Sequence, residues 1–220
     1  MLAAAGKPVM INGGDPTGIG PAYGGVFIDQ PSVYAEQFEG CFNNGGNYLY
    51  ADGKFVSEEN GQLAVIGHHK SAVCFPTGDT TPAHRLYAYA AWLLEYDPQY
   101  SVYLMAVPMS DGEALYPETQ LVPAQPAATA TSATTISVLK KGGVYVREFG
   151  QCAIASVPIG PCAAVVNASS TATAALPSLS TAYAHQIALD PQSLYHGGKA
   201  NVVAGVPASL APETAAILVR

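Results

Sequence analysis

Phe38-Glu39-Gly40-Cys41-Phe42 is a short apolar run with one carboxylate in it, and it is followed by Asn43-Asn44-Gly45-Gly46-Asn47. The run reads as a buried parallel strand and the polar loop as the turn at its carboxyl end. A charge inside such a strand costs several kcal/mol unless it is paired or hydrogen-bonded. Carboxyl ends of strands are also where α/β barrels place their chemistry. Glu39 is therefore a candidate working residue. The alternative is a carboxylate held by nearby amides for structural reasons alone.

Similar short runs lie on both sides. Pro8-Val9-Met10-Ile11-Asn12 reads as a strand, ended by the Gly-rich Gly13-Gly14-Asp15-Pro16-Thr17-Gly18, which matches no phosphate-binding spacing. Asn12 and Asp15 fall at that strand end, Asn12 as a ligand contact and Asp15 as a second carboxylate. Ser57 reads as a helix cap, with Glu58 and Glu59 in the favoured first turn and an end near Lys70. Ala72-Val73-Cys74-Phe75 is the next strand. Thr81-Pro82 opens a second helix, whose Leu86, Tyr89, Ala90, Leu93 and Leu94 form a one-sided apolar stripe with Trp92 off it. Residues 100–107 form another strand, near-continuously apolar as parallel strands are. The order is that of successive βα units. Three or four such units cannot close a barrel, and an open half leaves unpaired edges and an uncovered face.

The texture then changes. Residues 111–133, rich in Pro, Ala and Thr, read as a crossing segment or linker. From 134 onward, short strands between Pro, Gly, Ser and Asn turns predict a sandwich, beginning with Ile136–Leu139 and a hairpin at Lys140-Lys-Gly-Gly143. Arg147 and Glu148 should face opposite sides of their strand. Asn167-Ala168-Ser169 matches the N-glycosylation pattern, which also arises often by chance. The expected class is α/β: a half-barrel-like parallel sheet over 1–110, the link 111–133, and an all-β sandwich over 134–220.

Composition narrows the function. Of the 220 residues, 49% are hydrophobic and 11% charged, so a large core is attainable and disorder is not expected. The net charge is −7 and the nine basic residues are scattered, which argues against nucleic acid or anionic membrane as a partner. No apolar run is long enough to span a bilayer. The first eight residues read as the last turn of a helix, without the basic leader or long apolar region of a signal peptide. The four cysteines fit no zinc spacing. Cys152 and Cys162 can meet across a hairpin and Cys41 and Cys74 on neighbouring strands, as in an exported protein, or all four are buried thiols. No metal or other cofactor is implied.

The run of motifs Val9-Met-Ile-Asn12, Phe38-Glu39-Gly40-Cys41-Phe42, Ala72-Val-Cys-Phe-Pro76, Tyr87-Ala-Tyr-Ala-Ala-Trp-Leu-Leu94 and Val144-Tyr-Val-Arg-Glu-Phe149 before Val165-Val166-Asn167 carries a resemblance. It resembles the carboxyl-terminal half of a glycoside-hydrolase-type (β/α)8 barrel and its β-sandwich. The similar families are glycosidase-like ones distantly related to endo-α-1,4-polygalactosaminidases. The resemblance implies export, a polysaccharide or oligosaccharide ligand, and Glu39 as the site acid, with Asp15 as partner. Tyr48, Tyr50 and Glu118 would border the sugar, and Trp92 would pack between helices. Glycoside hydrolysis needs two carboxyl groups about 5 to 9.5 Å apart. A chain without the first half of the barrel is expected to be a weak or inactive shortened form, unless a homodimer completes the barrel. The competing expectations are a non-catalytic carbohydrate-binding or surface-associated module and, more remotely, a Cys74 thiol hydrolase with His68 or His69.

Overall fold

The computed structural model describes residues 8–12, 31–45, 48–78, 80–104, 115–126 and 135–220. Four strands form one parallel sheet: β1 (Val9–Asn12), β2 (Val33–Glu39), β5 (Ser71–Phe75) and β6 (Ser101–Tyr103), side by side in that order. A two-residue-per-strand ribbon, β3 (Asn43–Asn44) and β4 (Tyr48–Leu49), follows β2. Helices α1 (Asp52–Gly67) and α2 (Pro82–Glu95) complete the βα units.

The register explains which way each side chain points. Phe38, Cys74 and Tyr103 lie in one row across the sheet. The Phe38 ring touches Gly61 of α1, and the Tyr103 ring meets Tyr89 and Trp92 of α2. Both helices therefore cover the same face. Met10, Asn12, Glu39 and Val102 belong to the opposite face and are exposed.

That alternation corrects the reading of β2. The strand begins at Val33, and Glu39 is its last residue rather than a group embedded among phenylalanines. Glu36, two residues before Phe38, is the buried carboxylate, and burial raises its pKa. Helix α1 also starts earlier than expected. Ala51 is extended and makes no side-chain cap, and the Asp52 amide donates to the Ala168 carbonyl at 2.6 Å. A tertiary contact sets this helix start. Glu58 and Glu59 consequently sit in mid-helix, on its buried side, where a first-turn charge effect does not apply.

Helix α2 begins at Pro82 as expected, but it is buried all round rather than on one stripe. It touches β6 and α1 on one side and the antiparallel sheet on the other, which is the situation of a helix with no polar face. Ala88, Ala90 and Ala91, at 0% exposure, let both neighbours approach closely. Trp92 stacks with Tyr89, Tyr96 and Tyr103 inside the core.

The antiparallel sheet contains β7 (Leu121–Pro126), β8 (Lys140–Lys141), β9 (Val144–Ile154), β10 (Val157–Asn167), β12 (His185–Leu189), β13 (Ala200–Ala204) and β15 (Thr214–Val219). Its order is β13-β12-β15-β10-β9-β7, with β8 paired to β9. The β9–β10 hairpin turns on Ala155 and Ser156, both at positive φ, the signature of a type I′ turn. One face of this sheet packs on α2. The other is covered by the ribbon β11 (Ala174–Ala175) and β14 (Ser209–Leu210), around Val146, Val165 and Leu218. Arg147 faces the helices and Glu148 the opposite side, where it accepts from Ser180.

Three differences from expectation have physical causes. Ile136–Leu139 is a 3-10 turn rather than a strand, with Ile136 buried. Within the segment read as a link, Pro117–Gln120 is a 3-10 turn and Leu121–Pro126 is an edge strand, a place that tolerates proline. One hydrophobic cluster runs from Phe38 and Phe55 through α2 to Phe149 and Ile217, so the parallel and antiparallel parts share a core.

Disulfides join Cys41 to Cys74 and Cys152 to Cys162, with Cα separations of 5.6 and 5.9 Å. The first ties the exit of β2 to β5, and the second closes the β9–β10 hairpin. They point to an oxidising environment. They also remove the thiol-hydrolase alternative, because Cys74 is no free nucleophile. Among the described residues, no helix is long and apolar enough to cross a membrane.

Candidate functional site

The carboxyl ends of β1 and β2 bring Asn12 and Glu39 together. They share the face opposite the two described helices, and Asn12 Nδ2 donates to Glu39 Oε2 at 2.9 Å. The pair is exposed. It presents one carboxylate with a free oxygen edge, and an amide oxygen fixed in direction by its own N–H donation.

The ground beneath this pair is rigid. After Glu39 the chain reverses at Gly40, φ +75°, whose amide donates to the Phe75 carbonyl at 2.7 Å. A Cβ on Gly40 would stand 2.7 Å from Asn44 Cγ, so glycine is required for both conformation and space. The amides of Thr77 and Gly78 donate to the Asn43 carbonyl at 3.0 and 2.9 Å. A Cβ on Gly78 would fall 1.9 Å from Asn43 Oδ1. Asn44 accepts from Thr77 Oγ1 and donates to Tyr50 Oη. With the Cys41–Cys74 bridge, these bonds lock the β3–β4 ribbon onto the sheet's carboxyl end.

The ribbon carries the aromatic candidates. Tyr48 is 54% exposed, while Tyr50 is buried and its carbonyl accepts from Tyr87 Oη at 2.5 Å. Lys54 Nζ lies 4.0 Å from the Tyr50 ring centroid and 4.9 Å from that of Tyr48. Of the two rings, only Tyr48 offers a stacking surface. An exposed tyrosine beside a lysine, with a carboxylate and an amide at the same end of the sheet, offers hydrogen-bond donors, acceptors and an open ring face.

Glu118 is elsewhere. It is fully buried, and its Oε2 accepts from Arg85 Nη1 at 3.2 Å. Arg85 Nη2 also donates to the Asp190 carbonyl at 2.5 Å, and the guanidinium lies 4.1 Å from the Tyr116 ring centroid. Burial raises the Glu118 pKa, and Arg85 pulls it back. Asp15 lies outside the described residues.

Sequence reasoning missed a cavity of about 590 Å³ at the seam between α1 and the antiparallel sheet. Asp52, Lys140, Tyr145 and Ser169 contribute to its wall. Asp52 is held by Ser170, whose Oγ donates to Oδ2 at 2.5 Å. No local signal announces this cavity, because its walls come from three separated stretches of chain.

Comparisons of the chain with protein-family models, curated proteins and solved structures find no match.

Proposed function

We propose that this chain is a glycoside-hydrolase-like, carbohydrate-binding protein that grips a saccharide at the carboxyl end of its parallel sheet. The Asn12–Glu39 pair carries the reading: an exposed, mutually oriented amide and carboxylate on adjacent strand ends. Glu39 would accept from sugar hydroxyls, Asn12 Oδ1 would accept from a neighbouring hydroxyl, and Tyr48 would stack on a ring. Gripping ranks ahead of cutting because the described part of this site holds one carboxylate, and hydrolysis needs two. Two disulfides fit an exported protein meeting such a ligand outside the cell.

Hydrolysis is the second reading. It is favoured by a carboxylate at a parallel strand end in a sheet whose described helices lie on one face, as in α/β barrels. Glu39 would then be the general acid/base and Asp15 its partner, with a second copy of the chain completing the barrel.

A panel of neutral and acidic polysaccharides, scored for both retention and released reducing sugar, tests the two together. Retention without release supports the first reading. Release that disappears in Glu39→Gln supports the second. Neither retention nor release on any member overturns both. Lys140→Glu, at the seam cavity, serves as a control that should leave retention at the sheet end unchanged.

A further inference from the structure

We propose that Glu59 and Glu95, buried without hydrogen bonds at the seam between the helices and the antiparallel sheet, act as a pH-sensitive weak point: the seam is held while the pair can stay neutral at no cost and weakens as pH rises. Three elements meet there. Glu59 comes from the middle of α1, Glu95 ends α2, and Arg147 comes from β9. All three are buried, at 0, 2 and 2% exposure. Arg147 Nη1 donates to the Leu93 and Leu94 carbonyls at 3.4 and 3.1 Å. Its Nε and Nη2, and all four carboxylate oxygens of Glu59 and Glu95, lack any hydrogen-bond partner.

The charge balance requires protons. Glu58, also on α1 and buried, accepts from Gln62 Nε2 at 3.3 Å and faces the same ground. Glu59 and Glu95, both ionised against the one guanidinium of Arg147, would already leave a buried excess of negative charge, which the interior does not tolerate. The other groups facing the cluster are Tyr87 from α2, Tyr145 from β9, and Tyr96 and Asp97 just after α2. Among the described residues, none of these supplies a second positive charge. Burial is the largest cause raising the Glu59 and Glu95 carboxyls well above their ordinary 4.5, neighbouring glutamates add to it, and Arg147 opposes it. Arg147 itself is lowered to about 10, so it keeps its charge through neutral pH.

The linkage has a definite sign. Once pH passes 4.5, the unfolded chain sheds these protons while the folded chain keeps them. Each retained proton then costs about tenfold in the folding constant per pH unit, until the folded group ionises. Stability from this cluster falls as pH rises. Glu36 and Glu118 are also raised and add to the same slope, so the comparison with variants isolates the pair.

Urea midpoints of the oxidised chain are measured from pH 5 to 9 for wild type, Glu59→Gln, Glu95→Gln and the double variant. The expected result is a wild-type midpoint that falls with pH and a double-variant line that is flatter, with up to about tenfold less dependence per pH unit for each proton removed. Hydrogen exchange of the α1 and α2 amides, corrected for intrinsic rates, should accelerate with pH in wild type and not in the double variant. Parallel midpoint lines for the two chains would overturn the proposal. Should the variants fail to fold, the side-chain carboxyl carbon shifts of Glu59 and Glu95 in the isotope-labelled wild type still decide: protonated carboxyls at pH 7 support the proposal, and ionised ones overturn it.

Discussion

Helix α2 is fastened to the antiparallel part of the molecule by two arginines, and the two are handled in opposite ways. At one end Arg85 meets Glu118 at 3.2 Å, donates to the Asp190 carbonyl and lies on the Tyr116 ring. At the other end Arg147 donates to helix carbonyls and lies 5.1 Å from the Phe149 ring centroid, while Glu59 and Glu95 stay without hydrogen bonds. Both sites are buried to the same degree. The difference lies in the balance of charge: one carboxylate opposite one guanidinium forms a unit closed in charge, though Arg85 Nε and Glu118 Oε1 make no hydrogen bond, whereas several carboxyls around one guanidinium remain neutral only by keeping protons. Burial raises Glu118 as well, but Arg85 opposes it, so the first is expected to lose less stability with rising pH than the second.

The largest effect should come from breaking the closed unit. Glu118→Ala or Arg85→Ala leaves an uncompensated buried charge and should cost about 3–5 kcal/mol in denaturant unfolding. Replacing both partners by apolar residues, as in Arg85→Met with Glu118→Leu, should cost far less than the sum of the single changes. Additivity would show that the pair does not act as a unit.

Glu95→Gln should behave differently. It is expected to raise the unfolding free energy at pH 8 and to change it little at pH 4.5, because the folded carboxyl keeps its proton where the unfolded one has lost it. A loss of stability at both pH values would place Glu95 with the charge-paired group instead.

Asn167 is a third buried polar centre and resembles the Arg85 site. Its Nδ2 donates to the Ala172, Leu210 and Ala211 carbonyls at 2.8, 3.0 and 2.9 Å. Asn167→Ala should cost about 1–3 kcal/mol by orphaning those carbonyls. Mass spectrometry of the folded protein from a glycosylating host should find this side chain unmodified despite its acceptor sequence.

The smallest effect on stability is expected at the exposed pair. Asn12→Ala and Glu39→Gln should each stay within about 0.5 kcal/mol of wild type. Any effect on ligand retention then reports on binding rather than on folding.

How far these features could be read from sequence depended on whether their cause was local. Strands β1 and β5 announce themselves as apolar runs, and Thr81-Pro82 marks the start of α2. Strand neighbours and a hairpin suggested both disulfide pairings but left four buried thiols as the alternative, which the structure decides. The start of β2 was hidden, because Glu36 interrupts its alternation with a buried charge. Helix α1 looked as though Ser57 capped it, yet the Ala168 carbonyl, more than a hundred residues away, determines where it begins. That displacement turned Glu59 from an expected first-turn charge into a buried mid-helix group. The burial of α2 on all sides was likewise invisible to a periodicity that cannot show what packs against the second face. At the candidate site, Asn12 and Glu39 were both legible as strand-end residues, but their pairing required the parallel register of β1 and β2.

The most direct measurement is a calorimetric titration of the best-retained oligosaccharide into wild type, Asn12→Ala and Glu39→Gln, with folding checked by urea unfolding. The account predicts saturable binding to wild type that weakens about tenfold or more in each variant, the loss of roughly 1.4 kcal/mol expected for a charged hydrogen bond, while the unfolding midpoints stay in place. Equal affinity in all three chains would contradict it and move the ligand away from the carboxyl end of the parallel sheet.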